Sequence, residues 1–574
     1  MSLFDIPLTR GSKERDKKLL DKPKSKPVTN KYTAGITVAS KGSGSLIDRV
    51  NACISFVKAK FKGKEDTFIL IQKENDLINY IDRCIKNGVI SIDTETTGLD
   101  PILDHIVGLC IYTPGMKAAY VPINHVNYIS GIKCKDQLPP EFVASELQRI
   151  VDTETKTIFF NAPFDVRVIK NSLGVLITPY FDASIAAHTM NTDEPTYKLK
   201  PLHDKYCMGG KEGALSFGTL FDGLPFDIIP ITTAYLYASN DAIITYELYR
   251  FYAQWLEPDG EHYNELGIPE LSDMFFNIEM KSMPTFIAME QYGVEMDYER
   301  AEKLSKRYND YLTKMETNVS KVLAEYKEEI EDYKRKNPMC KLSDPVNLNS
   351  TVQLAIVLYD ILKLKSPDPK KPRGTDKEIL QELDHPICRA ISDMRKFSKV
   401  ISTYVDKIPN EAKRYPDKRI HCRFNQYGAA TGRVSSNSPN LQNIPSQPFV
   451  LNDGTVIDSG HDVRQLFKAS DGCILMSCDY SGQEVRVAAH LSHDKKMIQA
   501  YVDGKDVYSE IAALSFNKTY EECCEFAPDG SKNPPECKAR RGEAKKIVLG
   551  RRIIAPVYGD ICRKVCEPYY SWVC

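Results

Sequence analysis

The pattern of apolar and polar positions predicts several short strands near the start of the chain. Between Thr67 and Asn124, the β-rich runs TFILI, GVISIDTET, HIVGLCIYT and AAYVPIN are separated by turn residues and by one helical segment, ENDLINYIDRCIKNG. Strands that follow each other this closely predict an antiparallel meander. A further strand is predicted at KTIFF, and a long helix across TTAYLYASNDAIITYELYRFYAQWL.

Helical periodicity dominates the middle of the chain. Residues 266–335 predict long amphipathic helices, and the basic, proline-rich stretch KLKSPDPKKPRGTDKE predicts a loop between helices. From residue 419 onward, strand-like runs such as CILMSCDYS alternate with the helical patterns GQEVRVAAHLS and DVYSEIAAL. We therefore predict a multidomain chain that combines an α/β part with an α+β part.

Length and composition narrow the class of protein. A chain of 574 residues with 42% hydrophobic content is too long for one core, and its length predicts about three or four domains. No apolar run approaches the roughly 18 residues that cross a membrane, and the polar start lacks the apolar segment of a signal peptide. We therefore expect a cytoplasmic protein with no membrane partner. The net charge of -1 argues against a wholly electrostatic nucleic-acid binder, although local basic segments opposite acidic sites give the same sum.

The patterns of the cysteines and of the first residues of the chain do not indicate a disulfide framework, a zinc site or a folded segment. The 16 cysteines are spread over a long chain and mostly stand singly in apolar stretches, which predicts free thiols. Those between residues 523 and 566 lack the C-x-x-C spacing of a zinc site. Residues 11–27 mix Lys, Pro and Ser without periodicity, which predicts a solvated, mobile leader.

Two carboxylates lie two residues apart in VISIDTETTGLD. Asp93 and Glu95 therefore project from the same face of a predicted strand. Two acids held side by side repel each other unless cations lie between them. Solvated acids at an exposed strand end would give the same pattern, so this pair alone leaves both interpretations open.

Two further segments favour a shared site. TIFFNAPFDVRVI places Asn161 and Asp165 at the opening of a helix that follows a strand, and YLYASND places Tyr237 and Asp241 one helical turn apart. Their acids can converge on the first pair. Such a group suits phosphodiester hydrolysis with two Mg²⁺ ions, for which Mn²⁺ can substitute, since a metal pair roughly 3.5 to 4 Å apart activates water and stabilises the leaving oxygen.

The segments DTETTG, NAPFD and YASND resemble, in order and spacing, the three motifs of proofreading 3′–5′ exonucleases of the bacterial DNA polymerase I type. The resemblance implies a ribonuclease-H-like sheet that acts on single-stranded DNA 3′ ends. It implies Tyr237 as the residue that positions the attacking water and Asn161 as a DNA contact. It also implies four metal ligands, Asp93, Glu95, Asp165 and Asp241.

A second group of candidate residues lies in ATGRVSSNSPNLQNIPSQ, residues 430–447. An ordinary surface loop has the same polar, turn-rich composition. In a nucleic-acid interface, Arg433 would contact a phosphate or a base edge, while Gln442 and Asn443 would supply donors and acceptors suited to the minor groove.

The segment LMSCDYSGQEVRVAAHLSHD sets Asp479 at the end of a predicted strand, ahead of a helix that bears Glu484. An acid there can hold a catalytic metal, although an ordinary capping aspartate gives the same pattern. With the preceding loop, this segment resembles family A DNA polymerases from about Glu279 to Gly550, and its SGQE form resembles bacteriophage members. The resemblance implies primer-template DNA and deoxynucleoside triphosphates as partners. Asp479 would bind both catalytic metals, the Tyr480 carbonyl would be a further ligand, Glu484 would fill the place of a ribose 2′-OH, and Arg433 would touch the primer terminus.

RRGEAKKIVLG resembles the fingers helix of the same family, with Arg541, Lys545, Leu549 and Gly550 in register. The two cations would then hold the triphosphate of an incoming nucleotide, although a basic solvated helix would look similar. The Tyr-Gly pair that the family carries next is replaced here by two isoleucines, at positions 553 and 554.

This departure has two explanations: residues are inserted into the fingers helix, or the family-like sequence ends near Gly550. We favour the second, because nothing after Gly559 resembles the family. We expect a chain interrupted inside this motif, without the later segment that bears a second catalytic aspartate, so that the exonuclease is intact and polymerisation is impaired unless a second polypeptide fragment supplies the rest. A stand-alone 3′–5′ exonuclease and a non-catalytic DNA-binding replisome component are the alternatives. The predicted domains are a basic mobile leader (1–65), the exonuclease (66–265), a helical palm-entry and thumb region (266–410), the palm with the first part of the fingers (411–550) and a tail outside the family (551–574).

Overall fold

The structure, a computed structural model, describes residues 45–211, 217–221, 223–383, 385–445, 448–451 and 454–549. Most of the predicted leader, the predicted tail and the side chain of Leu549 lie outside the described residues. Within them the chain forms two compact units. The first contains residues 45–263 and 268–474, and the second contains residues 264–267 and 475–549.

The beginning of the first unit is an α/β domain. Its main helices and strands are, in chain order, α1 (Leu46–Lys60), β1 (Phe68–Leu70), α2 (Glu74–Asn87), β2 (Val89–Thr96), β3 (Ile106–Tyr112), β4 (Ala118–Pro122), α3 (Pro140–Asp152), β5 (Lys156–Phe159), α4 (Ala162–Leu173), β6 (Phe181–Asp182), α5 (Ala183–Met190), α6 (Leu199–Tyr206), α7 (Phe217–Phe221) and α8 (Ile231–Leu256). The strands predicted between residues 67 and 124, the strand at KTIFF and the long helix α8 are thus confirmed.

The six strands form one mixed sheet in the order β1-β4-β3-β2-β5-β6. The meander is confirmed for β2, β3 and β4, which pair antiparallel. It is wrong for β1, which pairs in parallel with β4. Helix α2 follows β1 and carries the chain across the sheet, and a crossover of this kind permits parallel pairing. Apolar clusters cover both faces of the sheet, and side chains of α8 belong to each of them.

Helix α1 lies in the segment that we predicted as a mobile leader, and this prediction is wrong for residues 46–60. Ser45 caps the helix and accepts a hydrogen bond from the Asp48 amide. Val50, Cys53 and Val57 recur at helical spacing and are fully buried in the cluster that also contains residues of α8. Burial of these three side chains stabilises the helix against the rest of the domain.

The remainder of the first unit is largely helical, with short strands. Its elements are α9 (Ile268–Asp273), a π-helical turn (Met274–Glu279), α10 (Met280–Tyr292), β7 (Val294–Met296), α11 (Tyr298–Ala324), α12 (Lys327–Lys336), α13 (Thr351–Ala355), a π-helical turn (Ile356–Ile361), α14 (Lys377–Glu382), α15 (Pro386–Val400), a π-helical turn (Ile401–Val405), α16 (Lys407–Ala412), β8 (Arg419–Ile420), β9 (Arg423–Asn425), β10 (Ser435–Asn437), β11 (Phe449–Val450), β12 (Val456–Ile457), α17 (Ser459–Arg464) and β13 (Phe467–Lys468). The strands form a three-stranded sheet β13-β7-β8 and two hairpins, β9 with β10 and β11 with β12.

The second unit consists mainly of α18 (Gln483–Ser492), α19 (Lys495–Val502), α20 (Val507–Phe516) and α21 (Pro535–Leu549). The helices predicted at GQEVRVAAHLS and DVYSEIAAL are therefore confirmed. The strand predicted at CILMSCDYS is wrong, because residues 473–480 form neither helix nor strand. A strand needs a neighbour for its backbone hydrogen bonds, and no described strand pairs with this segment, whose Ile474 is 87% exposed.

The described cysteines and helices bear on two predictions from composition. Every cysteine among them is a free thiol, as predicted. In that same part of the chain, no helix combines the length and the apolar character that crossing a bilayer requires.

Candidate metal centre

Strand β2 brings two carboxylates to one face of the mixed sheet. Asp93 lies directly opposite Cys110 of β3 in the antiparallel register. Oxygen atoms of Asp93 and Glu95 and the sulfur of Cys110 all lie within 4.8 Å of one another. The register between β2 and β3 shifts just after Glu95, so the acids stand where the regular pairing ends.

Asp165 is joined to the same strand through the residue between the two acids. Both the backbone N–H and the hydroxyl of Thr94 donate to Asp165 Oδ1, at 3.0 and 2.5 Å. Asp165 belongs to the first turn of α4, and only 3% of it is exposed. The hydrogen bonds from Thr94 therefore fix the helix carboxylate against the strand that carries the first pair.

The turn into α4 is held in an unusual backbone conformation. Asn161 precedes the helix with a φ of 66° and is exposed, and asparagine is among the residues that tolerate this left-handed region best. The next amide, that of Ala162, donates to Asp182 Oδ2 at 2.6 Å. Asn161 is thus presented to solvent at the start of the helix that carries Asp165.

Helix α8 supplies Tyr237 and Asp241, one turn apart. Lys200 of α6 contacts both of them. Its ammonium lies 3.0 Å from Asp241 Oδ2, donates to the Tyr237 hydroxyl at 2.9 Å and is 4.3 Å from the centre of the Tyr237 ring. Sequence reasoning missed Lys200, because nothing in the pattern YKLKPLHDKY indicates which of its lysines faces α8.

The electrostatics of this group reflect negative charge that is crowded and shielded from water. Burial raises the pKa of Asp93 well above its usual range, and Asp165, Asp241 and Glu95 raise it further. Burial, followed by the charge of Asp241, likewise raises the pKa of Glu95. Lys200 opposes both shifts. Because the ionised carboxylates are destabilised in this way, the site favours a bound cation.

The ionisable residues on α4 and α8 are affected by the same burial and the same negative charges. Burial raises the pKa of Asp165 to about 7, against the two hydrogen bonds from Thr94. The pKa of Asp241 is raised by burial, and Lys200 opposes this. The pKa of the Tyr237 phenol is raised well above its usual range by burial and then by Asp241, so its hydroxyl keeps its proton and can act as a donor.

The donor atoms fit a hard divalent cation. Asp241 is 9% exposed, and its Oδ1 is buried without a hydrogen-bond partner among the described residues. Carboxylate oxygens are the ligands that Mg²⁺ and Mn²⁺ prefer. Burial, and then the charge of Asp93, raise the pKa of the Cys110 thiol well above its usual value. The thiol therefore stays protonated, and the carboxylates form the donor set for hard metals.

The candidate DNA contacts of the first unit lie at one end of the β9–β10 hairpin. Arg433 precedes β10, whereas Gln442 and Asn443 follow it, and all three are exposed. Gln442 donates to the Val434 carbonyl at 2.9 Å, and the Asn443 carbonyl accepts from the Tyr404 hydroxyl at 2.5 Å. The loop thus brings the Gln442 side chain back beside the segment that carries Arg433.

The candidate palm residues belong to the second unit. Asp479 and Tyr480 lie in the exposed segment that forms no strand, so the predicted strand end that would carry Asp479 is absent there. Glu484 is exposed in the first turn of α18, after Gly482 with a φ of 60°. Among the described residues, the group of potential metal ligands in the structure is the one around Asp93, and it does not include Asp479.

The predicted fingers cations share one face of α21. Arg541 donates from Nε and Nη2 to the two carboxylate oxygens of Asp506, at 2.8 and 3.0 Å. The guanidinium of Arg541 lies 5.2 Å from the ring centre of Tyr508, and the Lys545 ammonium lies 5.7 Å from the same ring. Arg541 and Lys545 are four residues apart on the helix and therefore reach the same ring, while Asp506 is a partner that the sequence did not indicate.

Two family models match this chain. Residues 68–256 match the 3′-5′ exonuclease model, and residues 309–534 match the DNA polymerase family A model. The DNA polymerase I of Borreliella burgdorferi is 29% identical over 443 residues, which are 77% of this chain and 43% of that protein. The DNA polymerase I of Synechocystis sp. is 32% identical over 441 residues, which are 75% of this chain and 40% of that protein. The chain thus spans less than half the length of these relatives.

A solved structure supports the fold. It is the POL domain of Pol1 from M. smegmatis in complex with DNA primer-template and dNTP, with a TM-score of 0.61 and 21% sequence identity. The match covers 84% of this chain and 71% of that one. At this level of identity the likeness concerns the fold alone. With the two family models, it confirms the predicted combination of an α/β exonuclease domain and a polymerase domain.

Proposed function

Because this chain belongs to the family A DNA polymerases and carries a 3′–5′ exonuclease domain ahead of the polymerase domain, we propose that it hydrolyses DNA from the 3′ end. The observation that carries the proposal is that Asp93 and Glu95 lie together on β2 and interact electrostatically with Asp241, whose Oδ1 is buried without a hydrogen-bond partner among the described residues. A non-catalytic DNA-binding surface gains nothing from clustered negative charge beside phosphates.

The metals of this proposal are two Mg²⁺ ions, held by Asp93, Glu95, Asp165 and Asp241. When bound, they supply an activated water and stabilise the charge on the leaving 3′ oxygen. The role of Tyr237 is to orient the water, since its phenol keeps its proton and is itself held by Lys200. Thr94 keeps the Asp165 carboxylate in place through two hydrogen bonds.

The DNA strand would reach these acids past the start of α4. Asn161 is exposed there, and its amide side chain can donate to a phosphate or a base edge of the last nucleotides. A single-stranded 3′ end is the expected substrate. A paired end would have to unpair before its terminal phosphodiester could reach acids that are largely enclosed by protein.

The polymerase domain supports a second proposed activity, the addition of deoxynucleotides to a primer. Arg433, Gln442 and Asn443 would contact the primer-template, and Arg541 with Lys545 would hold the triphosphate. The specific observation in favour is that Arg541 and Lys545 of α21 lie 5.2 and 5.7 Å from the centre of one aromatic ring, that of Tyr508 on α20. Asp479 would bind the catalytic metals with the Tyr480 carbonyl, and Glu484 would exclude a ribose 2′-OH.

One gel experiment tests both activities. The purified chain is incubated with Mg²⁺ and a 5′-labelled primer annealed to a longer template, with and without the four deoxynucleotides. Shortening in both lanes that Asp93→Ala abolishes is the expected exonuclease result, and no shortening by the wild type would overturn that proposal. Extension that requires nucleotides and that Asp479→Ala abolishes would support synthesis, whereas its absence would refute it for this chain.

A further inference from the structure

Lys200 is the feature of the metal centre that neither the motifs nor the family models assign. Its side chain is only 14% exposed. The ammonium makes a 3.0 Å ion pair with Asp241 and a 2.9 Å hydrogen bond to Tyr237, and it lies over the tyrosine ring. A lysine placed in this way loses much of its hydration, and it is retained only where nearby negative charge compensates.

The two carboxylate oxygens of Asp241 have different surroundings. Lys200 engages Oδ2 of the carboxylate. The other oxygen, Oδ1, is buried and has no hydrogen-bond partner among the described residues. Lys200 can therefore keep its contact with Asp241 while Oδ1 is given to a metal ion. The same ammonium holds the hydroxyl of Tyr237, one turn earlier on α8, so a single cation fixes the orientation of both residues.

The positive charge of Lys200 also affects the repulsion among the acids and the binding of metal ions. Asp93, Glu95, Asp165 and Asp241 contribute up to four negative charges to a confined space, and Lys200 contributes a positive one. In the absence of metal, this positive charge reduces repulsion among the acids. In the presence of metal, it repels the divalent ions and so weakens their binding.

We propose that Lys200 is a built-in counter-cation that stabilises the metal-free site, weakens the affinity of the site for divalent ions and positions Tyr237 and Asp241 for hydrolysis. This inference rests on the proposed exonuclease function. Lys200 is a positioning residue, because it acts through Tyr237 and Asp241. Removal of this one positive charge should therefore strengthen metal binding and weaken catalysis at the same time.

The test compares the full chain with Lys200→Met, which keeps an unbranched apolar side chain without the charge. Lys198→Met is the matched control, because Lys198 is two residues away and exposed. Mn²⁺ binding is measured by electron paramagnetic resonance of the free ion, and thermal unfolding is recorded with EDTA and with saturating Mn²⁺. We expect K200M to bind Mn²⁺ about tenfold more tightly, by loss of Coulomb repulsion in a partly shielded site, and to lose melting temperature in EDTA but recover it with Mn²⁺.

Kinetics supply the second readout. At saturating Mn²⁺ and with a single-stranded oligonucleotide, we expect K200M to lower kcat about 100-fold, which is the order of effect of one misplaced positioning group, with KM changed less than about twofold. Lys198→Met should match the wild type in every measurement. Lys200→Arg retains the charge and should keep the Mn²⁺ affinity of the wild type.

The outcomes separate this proposal from the exonuclease proposal. Weaker or unchanged Mn²⁺ binding by K200M, with equal loss of melting temperature in EDTA and in Mn²⁺, would show a merely structural lysine and overturn the inference. If K200M cannot be purified, tighter Mn²⁺ binding by Lys200→Arg would overturn it as well. A wild-type chain that binds Mn²⁺ but does not cleave DNA would refute the proposed function, while the affinity comparison would still decide the role of Lys200 as a counter-cation.

Discussion

Thr94 donates two hydrogen bonds to a single oxygen of Asp165, one from its backbone amide at 3.0 Å and one from its hydroxyl at 2.5 Å. Thr94 stands between Asp93 and Glu95 on β2, so the strand that carries one pair of acids also holds the acid of α4. The position of Asp165 relative to the sheet therefore depends on the residue between the other two carboxylates, and not only on the packing of the helix.

Replacement of Thr94 tests this connection. Thr94→Val keeps the shape of the side chain and the backbone hydrogen bond but removes the hydroxyl. Because Asp165 is buried, we expect a loss of about 1 to 3 kcal/mol in the free energy of unfolding and a kcat for 3′ cleavage reduced about tenfold. Urea denaturation and single-stranded oligonucleotide cleavage measure the two effects. Thr94→Ser retains the hydroxyl and should keep most of the stability and most of the kcat of the wild type. Equal losses in Thr94→Val and Thr94→Ser would show that the hydroxyl does not hold Asp165.

The raised pKa of Asp165 predicts how the metal-free protein responds to pH. Burial raises this pKa from 3.8 to about 7. The folded state therefore keeps a proton that the unfolded chain releases at lower pH, and stability falls as the pH rises from about 4 through 7. In EDTA, the wild type should lose more free energy of unfolding between pH 5 and pH 8 than Asp165→Asn does. Equal losses would show that Asp165 does not carry this dependence.

Sequence periodicity was sufficient for the elements whose reason to form is local. The alternation in VISIDTET gave β2 and the shared face of Asp93 and Glu95, and the helical spacing in YLYASND gave the shared face of Tyr237 and Asp241. The resemblance to known motifs then joined these segments into one expected site. Both steps depend on neighbours a few residues apart along the chain, which a sequence contains directly.

The features that sequence reasoning missed or misplaced depend on tertiary neighbours. Lys200 is one of several lysines around α6, and only the packing of that helix on α8 identifies it. Cys110 joined the acids because the register of β2 and β3 sets it opposite Asp93. The predicted strand at residues 473–480 has strand-like composition, but a strand exists only where another strand accepts its hydrogen bonds.

The thiol of Cys110 predicts a distinction between hard and soft metals. Its protonated form is a poor ligand for Mg²⁺, but a thiophilic ion such as Cd²⁺ displaces the proton and binds the thiolate together with Asp93 and Glu95. We expect Cd²⁺ to inhibit cleavage in excess Mg²⁺, and Cys110→Ser to require about tenfold more Cd²⁺ for the same inhibition with unchanged activity in Mg²⁺ alone. Cys84→Ser, at a buried thiol in the cluster on the opposite face of the sheet, is the control, and identical Cd²⁺ titrations of the two variants would contradict the prediction.

A buried ion pair joins the α/β domain to the helix that follows it. Arg167 of α4 lies 2.6 Å from Glu290 of α10, and the two side chains are 4% and 3% exposed. Burial lowers the pKa of Arg167 and raises that of Glu290, while each partner opposes the shift of the other. Glu290 also accepts a hydrogen bond from the Phe424 amide, at 2.5 Å, so the pair links α4, α10 and β9.

Loss of one partner should therefore cost more than loss of both. Glu290→Leu leaves the Arg167 guanidinium buried without its counter-charge, and we expect a loss of about 3 to 5 kcal/mol in the free energy of unfolding. The double variant Arg167→Met with Glu290→Leu replaces both charges by apolar side chains of similar size and should be more stable than the single variant. As a surface control, Glu299→Gln breaks the exposed pair with Lys303 and should change stability by less than about 0.5 kcal/mol. Urea denaturation of the four proteins tests this account, because a double variant no more stable than Glu290→Leu would mean that the two charges do not compensate each other.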